Sequence, residues 1–94
     1  MFFQIKLHMP EISRFYGIII YFYFREHNPP HFHAVYGEYE ALIAIETLGI
    51  ISGSLPPRAL GLVMEWAALH QQELMHAWAQ VVDHQQPGKI EPLK

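Results

Sequence analysis

The chain contains no cysteine. That excludes disulfides, thiolate zinc sites and a cysteine nucleophile, and it suits a reducing cytoplasm. Long apolar runs are also missing: the longest, Ile18 to Phe24, falls far short of the ~20 residues a spanning helix needs, so no membrane segment is expected. Met1 to His8 has one lysine and no sustained apolar stretch ahead of a small-residue cleavage site, so no secretory signal is expected either. No serine sits in a recognisable nucleophile motif, and no glycine-rich loop could cradle a phosphate. Positive charge is scarce, with six Lys and Arg against nine Asp and Glu, for a formal charge of −3. The overall basic field of a protein that clamps nucleic acid is therefore absent, although local patches remain open. Internal repeats, linkers and low-complexity segments are lacking as well.

What is present fits one domain over residues 1–94. A chain of this size buries only about 60–65% of its unfolded surface, so its stability is modest unless it associates. Half of it (51%) is hydrophobic and 14% aromatic, enough for a core and a sticky face, which favours a small protein partner or a homo-oligomer. Seven histidines would carry the net charge from negative to positive on protonation. Anion binding should therefore strengthen as pH falls through about 6.5.

Along the chain, Ile12-Ser13-Arg14-Phe15 alternates like a strand, Tyr16-Gly17 marks a turn, and Ile18 to Phe24 is a β-branched and aromatic run suited to a central strand. His31 to Tyr36 and Tyr39 to Glu46 give two more strands around a tight Gly37-Glu38 turn. Thr47 to Leu55 reads as a short edge strand or an irregular connection. From Pro56-Pro57 the period changes: Leu60, Val63, Met64, Ala67, Leu74, Trp78, Val81 and Val82 form a stripe at helical spacing, with Pro87-Gly88 as the stop. One helix from Pro57 to Gln86 would run about 45 Å, longer than a sheet of ~20 Å strands, so the segment is either one long helix whose end overhangs and binds something or, the favoured reading, two shorter helices with a break near His70-Gln71-Gln72. Residues 89–94 read as a loose tail. The class is α+β: an antiparallel sheet of four to five strands with a C-terminal helical segment packed on one face.

The stretch that packing alone does not explain is Phe24-Arg25-Glu26-His27-Asn28-Pro29-Pro30-His31-Phe32-His33-Ala34. Two prolines stiffen the approach to a strand on which His31 and His33 point to one side and Phe32 to the other. Parallel imidazoles can chelate a metal, grip an anion when protonated, or move protons near neutral pH. His27, His31 and His33 offer three nitrogen ligands, with zinc the metal they suit and Glu26, Glu38 or Glu40 to complete or orient the set. As acid–base groups, His31 or His33 would act with Arg25 or Arg14 on a phosphate. In RNA cleavage that would suffice, because the 2′-hydroxyl supplies the nucleophile. The bland alternative is that the imidazoles cap loop carbonyls at the turn.

Other features are weaker. Glu73-x-x-His76 has the spacing of a di-iron ligand pair but no second copy, and reads as a solvated face with i,i+3 pairing to His70. Trp66 and Trp78 lie ~120° apart around a helix, so at least one could mark a partner surface off the apolar stripe. Arg14, Tyr16, Tyr21, Tyr23 and Arg25 interleave cations with aromatics, as RNA contact would need, though aromatic strands are mostly core.

Met9-Pro10-Glu11-Ile12-Ser13-Arg14-Phe15, Gly17-Ile18, Tyr23-Phe24, the block Glu26 to Ala34, Leu55-Pro56-Pro57-Arg58-Ala59-Leu60, Glu65-Trp66, His70-x2-Glu73-Leu74 and Trp78 closely resemble small bacterial proteins grouped as domain-of-unknown-function family 4160. Members usually begin at the residue matching Met9, so Met1 to His8 is expected to be an N-terminal extension, either an added strand or the product of an upstream start. The resemblance supplies no activity and no catalytic residues. It implies a short operon protein, often encoded beside another small protein and suspected as a toxin–antitoxin component, with RNA as target if it is the toxin half. The leading expectation is thus a cytoplasmic module that binds a cognate small protein through its helix and exposed aromatics, with the His27/His31/His33 loop as active or anion-binding site. The alternative is a histidine-based metal-binding protein or metal-assisted hydrolase. A structural adaptor whose histidines only brace the loop is the third.

Overall fold

The computed structural model describes residues 9–24 and 27–94. Met1 to His8, expected as an N-terminal extension, and the pair Arg25-Glu26 lie outside the described residues. Strands β1 (Glu11–Phe15), β2 (Ile18–Tyr21), β3 (His31–Tyr36), β4 (Tyr39–Ala44) and β5 (Ile50–Gly53) are followed by helices α1 (Pro57–Leu69) and α2 (Gln71–Val82). The sheet is an antiparallel meander in sequence order, as the alternation and the short turns dictate.

Turn chemistry sets the register. Tyr16 and Gly17 both have positive φ, 51° and 81°, the requirement of the two-residue hairpin turn whose twist matches that of its strands. The Gly37-Glu38 loop pairs Tyr36 with Tyr39, which places His33 opposite Leu42 and Val35 opposite Glu40. At the end of β5, Gly53 has φ 79°, and a Cβ there would stand 2.1 Å from the Glu40 carbonyl oxygen. Only glycine lets the two backbones approach so closely. Ser54 N–H then donates to that same carbonyl at 3.0 Å.

The face bearing Phe15, Ile18, Ile20, Phe32, Ala34, Ala41 and Ile43 is buried under the helices. Trp66 of α1, fully buried, lies against Phe15 at 5.3 Å and Phe32 at 6.0 Å between ring centres. Trp78 of α2 is buried against Phe22. Neither tryptophan marks a partner surface. The core takes both, because the break between the helices turns α2 so that its own stripe also faces inward. That break falls at His70, whose φ of −127° leaves the helical region. Gln71 fixes it by donating its side-chain amide to the Ile45 and Glu46 carbonyls at 2.8 and 3.2 Å. α2 ends before Pro87-Gly88, because His84 takes the left-handed conformation (φ 59°). Gln85 N–H then donates to Gln80 O and His84 N–H to Val81 O, the paired bonds of a Schellman stop. Val82, expected on the apolar stripe, faces solvent, the buried side of α2 being Leu74, Ala77, Trp78 and Val81.

Residues 89–94 are tied down rather than loose. Ile90 is buried and its N–H donates to Ile12 O at 2.9 Å, Lys89 Nζ donates to Glu11 O at 2.9 Å, and the Trp66 indole N–H donates to Glu91 O at 2.8 Å. Among the described residues no helix is long and apolar enough to cross a membrane.

Gly53→Ala should lower unfolding stability by more than about 2 kcal/mol, since it meets both a positive φ and a backbone oxygen. Gly61→Ala, in α1 with open space around it, should raise stability by about 0.5–1 kcal/mol. Urea denaturation of the two variants beside the parent checks the contrast.

Candidate functional site

The face of the sheet away from the helices would ordinarily be the wet one. Here it carries Tyr21, His33 and Glu40 on three adjacent strands. Tyr21 and His33 are direct cross-strand partners, and Glu40, opposite Val35, is the diagonal neighbour of His33 on the same face. Glu40 Oε2 accepts from the Tyr21 hydroxyl at 2.5 Å and lies 2.9 Å from His33 Nδ1. Tyr21 and His33 are buried, while the Glu40 side chain keeps 42% exposure. A carboxylate can only accept, so Nδ1 of His33 carries its proton and Nε2 is the acceptor nitrogen of the neutral ring.

Aromatic rings fix the imidazole in place. Tyr21 stacks on His33 at 4.9 Å, Tyr23 meets it edge-on at 4.7 Å, and the His31 ring lies 5.3 Å away. His31, also buried, opens β3 under Trp78 at 5.2 Å. Its Nδ1 is 2.7 Å from Pro29 O, and a carbonyl again accepts, so His31 adopts the same tautomer. The Asn28–Pro29 peptide is cis. Burial, then the hydrogen bond to Glu40, then the Tyr23 hydroxyl push the Tyr21 pKa far above that of an ordinary phenol. Tyr21 therefore remains a neutral donor throughout the physiological range.

The pairing of His31 and His33 on one face is as the alternation requires. His27 stands exposed in the preceding loop, and among the described residues no three His, Asp or Glu side chains gather in a way that could hold a metal ion. Arg25 and Glu26 lie outside the described residues. Arg14 is engaged elsewhere: its Nη2 and Nε donate to the two Glu11 oxygens at 2.7 and 3.1 Å, an arrangement that lowers the Glu11 pKa. On the helices, His70 pairs with Glu73, the i,i+3 contact expected of a solvated face.

Tyr21 belongs to this site and was legible in the sequence as part of an aromatic strand and of the interleaved aromatic and cationic set, not as a partner of His33 and Glu40. Glu40 was one of three candidate orienting acids, and its partnership with His33 could have been counted from the turn. With Gly37-Glu38 as a two-residue loop, residues summing to 75 face each other, which leaves Glu40 diagonal to His33.

The model of the family described as "Domain of unknown function (DUF4160)" matches residues 17–79, a span that includes Tyr21, His31, His33 and Glu40. No curated protein and no solved structure matches the chain. The chain belongs to the DUF4160 family.

The raised Tyr21 pKa has a signed consequence. In the unfolded chain this phenol loses its proton near pH 10, whereas in the folded protein it keeps it, so its contribution to stability is complete below pH ~10 and is lost as pH rises further. Denaturation at a series of pH values from 8 to 11 should show this decline, and Tyr21→Phe should flatten it.

Proposed function

We propose that this DUF4160 protein is a cytoplasmic component of a toxin–antitoxin-type operon that binds a small partner protein by adding one of the partner's strands to β5. The observation that carries the reading is the difference between the two sheet edges. The β1 edge is closed by the chain's own C-terminal segment, through Ile90 on Ile12 O and Lys89 on Glu11 O. The β5 edge is exposed along its whole length, with Ile50 and Ile51 at 45% and 46% exposure, and no charged residue occurs from Thr47 to Pro57. Natural sheets blunt such edges with lysine, proline or a covering segment. An uncharged edge carrying two outward isoleucines suits strand addition, in which backbone bonds supply affinity and alternate side chains supply selectivity.

In such a pair, RNA is the target if this chain is the toxin half. His33 is then the proton acceptor, with its proton placed by Glu40, and His31, in its imidazolium form, gives the proton on Nε2 to the leaving 5′-oxygen. Arg25 is the cation for the phosphate. The attacking 2′-oxygen gives its proton to His33 and forms the cyclic phosphate as the P–O5′ bond breaks.

Co-expression with the adjacent small open reading frame, followed by size-exclusion chromatography with light scattering, tests the docking. The expected result is a stoichiometric complex that Ile50→Lys/Ile51→Lys weakens at least about tenfold without loss of fold. A complex indifferent to these lysines, a homodimer through the same edge, or a folded monomer that captures nothing would overturn it.

A further inference from the structure

A second place departs from local structural rules, at the end of β3 opposite to His31 and on the helix-bearing side of the sheet. A half-open groove of about 240 Å³ is lined there by Tyr16, Tyr36, Pro56, Arg58, Ala59 and Leu62. Tyr16 occupies the first central position of the β1–β2 turn with φ 51°, a conformation that asparagine or glycine adopts at little cost and a bulky residue adopts rarely. Its ring is 56% exposed, so burial does not repay that cost. The Tyr36 ring lies alongside Gly17, 3.4 Å from where a Cβ would stand. Tyr39, its cross-strand partner, is also exposed.

Arg58 breaks a rule of its own. It sits in the first turn of α1, where the helix dipole disfavours a cation and where no acidic residue is present. Among the described residues no carboxylate lines the groove. Two exposed phenol rings and one cation, with no acid beside it among the described residues, thus share one half-open groove. Positions that spend stability with no structural return are where function is to be sought.

We propose that this groove binds a nucleoside 5′-monophosphate unit, with the base stacked on the tyrosine rings and the phosphate on Arg58. Stacking uses the π-face common to every base, and the single cation matches a single phosphate. The shared chemistry has two sources, a free nucleotide or one residue of single-stranded RNA. The site is separate from His33, which faces the other side of β3, and it does not depend on docking at β5.

Calorimetric titration at low salt would use the four nucleoside 5′-monophosphates, adenosine, inorganic phosphate and a short unstructured oligoribonucleotide. At least one monophosphate should bind, and more tightly than adenosine or phosphate alone. Tyr16→Asn should weaken that binding at least about fivefold while raising the melting temperature, because Asn-Gly is the favoured pair for this turn. Arg58→Gln should weaken it and reduce its dependence on salt. Tighter binding of the oligonucleotide than of any monophosphate identifies RNA as the source, and equal binding identifies the free nucleotide. Monophosphates that bind no better than phosphate, or binding unchanged in both folded variants, would overturn the assignment.

Discussion

One carboxylate oxygen ties the sheet together. Glu40 Oε2 on β4 takes hydrogen bonds from Tyr21 on β2 and His33 on β3, so a single atom joins three strands on the face that the helices do not cover. A buried hydroxyl or imidazole left without its partner would cost about 1–3 kcal/mol. Glu40 removes that penalty for two groups at once, and its own charge stays half in water, where it need not be desolvated. The main chain of the same residue sets the next strand: its carbonyl receives Ser54 N–H, and the close approach of Gly53 is made to that carbonyl. Side chain and backbone of one residue thus fix β2, β3, β4 and the exit from β5 in a single register.

The other face is held by ordinary apolar burial, with Trp66 as its centre. The indole packs on β1 and β3 and reaches the C-terminal segment through its N–H, so the helix layer, the sheet and the tail meet at one side chain. This closes the β1 edge and, among the described residues, leaves the β5 edge without a covering segment. The asymmetry matters because the sheet is built from short strands, and an edge that is neither charged nor covered is the surface most ready to accept another strand. The two surfaces proposed for partner and nucleotide therefore sit at the margins of the sheet: β5 on one side, and the tyrosine-lined groove beside the first hairpin.

Much of this architecture was legible because the local signals agree. Tyr16-Gly17 and Gly37-Glu38 punctuate alternating segments, and the bounds of β3 follow from its prolines before and its glycine after. The helix break at His70 was the favoured of two readings, since a single helix would overrun the sheet, and it required the structure to decide against an overhanging end. The tail was not legible, because one isoleucine among polar residues gives no periodic signal and its anchor is a tertiary contact with β1. The end of α2 was misplaced for a related reason: His84, not a glycine, takes the left-handed position, so the eye moves on to Pro87-Gly88. Trp66 and Trp78 looked split around one helix, and the break returned both to the core. At the site, alternation put His31 and His33 together, but choosing Glu40 among the nearby acids required the strand register, which composition and spacing do not display.

The central claim is that Glu40 fixes the His33 ring as the tautomer protonated at Nδ1, with Nε2 as acceptor. Long-range proton–nitrogen correlation spectra of the ¹⁵N-labelled protein, recorded at a pH where the ring is neutral, test this directly. The account predicts that His33 shows a protonated Nδ1 and an unprotonated Nε2, and that Glu40→Gln abolishes this preference while the sheet persists. A His33 ring protonated at Nε2, or one averaging freely between the two tautomers in the parent protein, would contradict it.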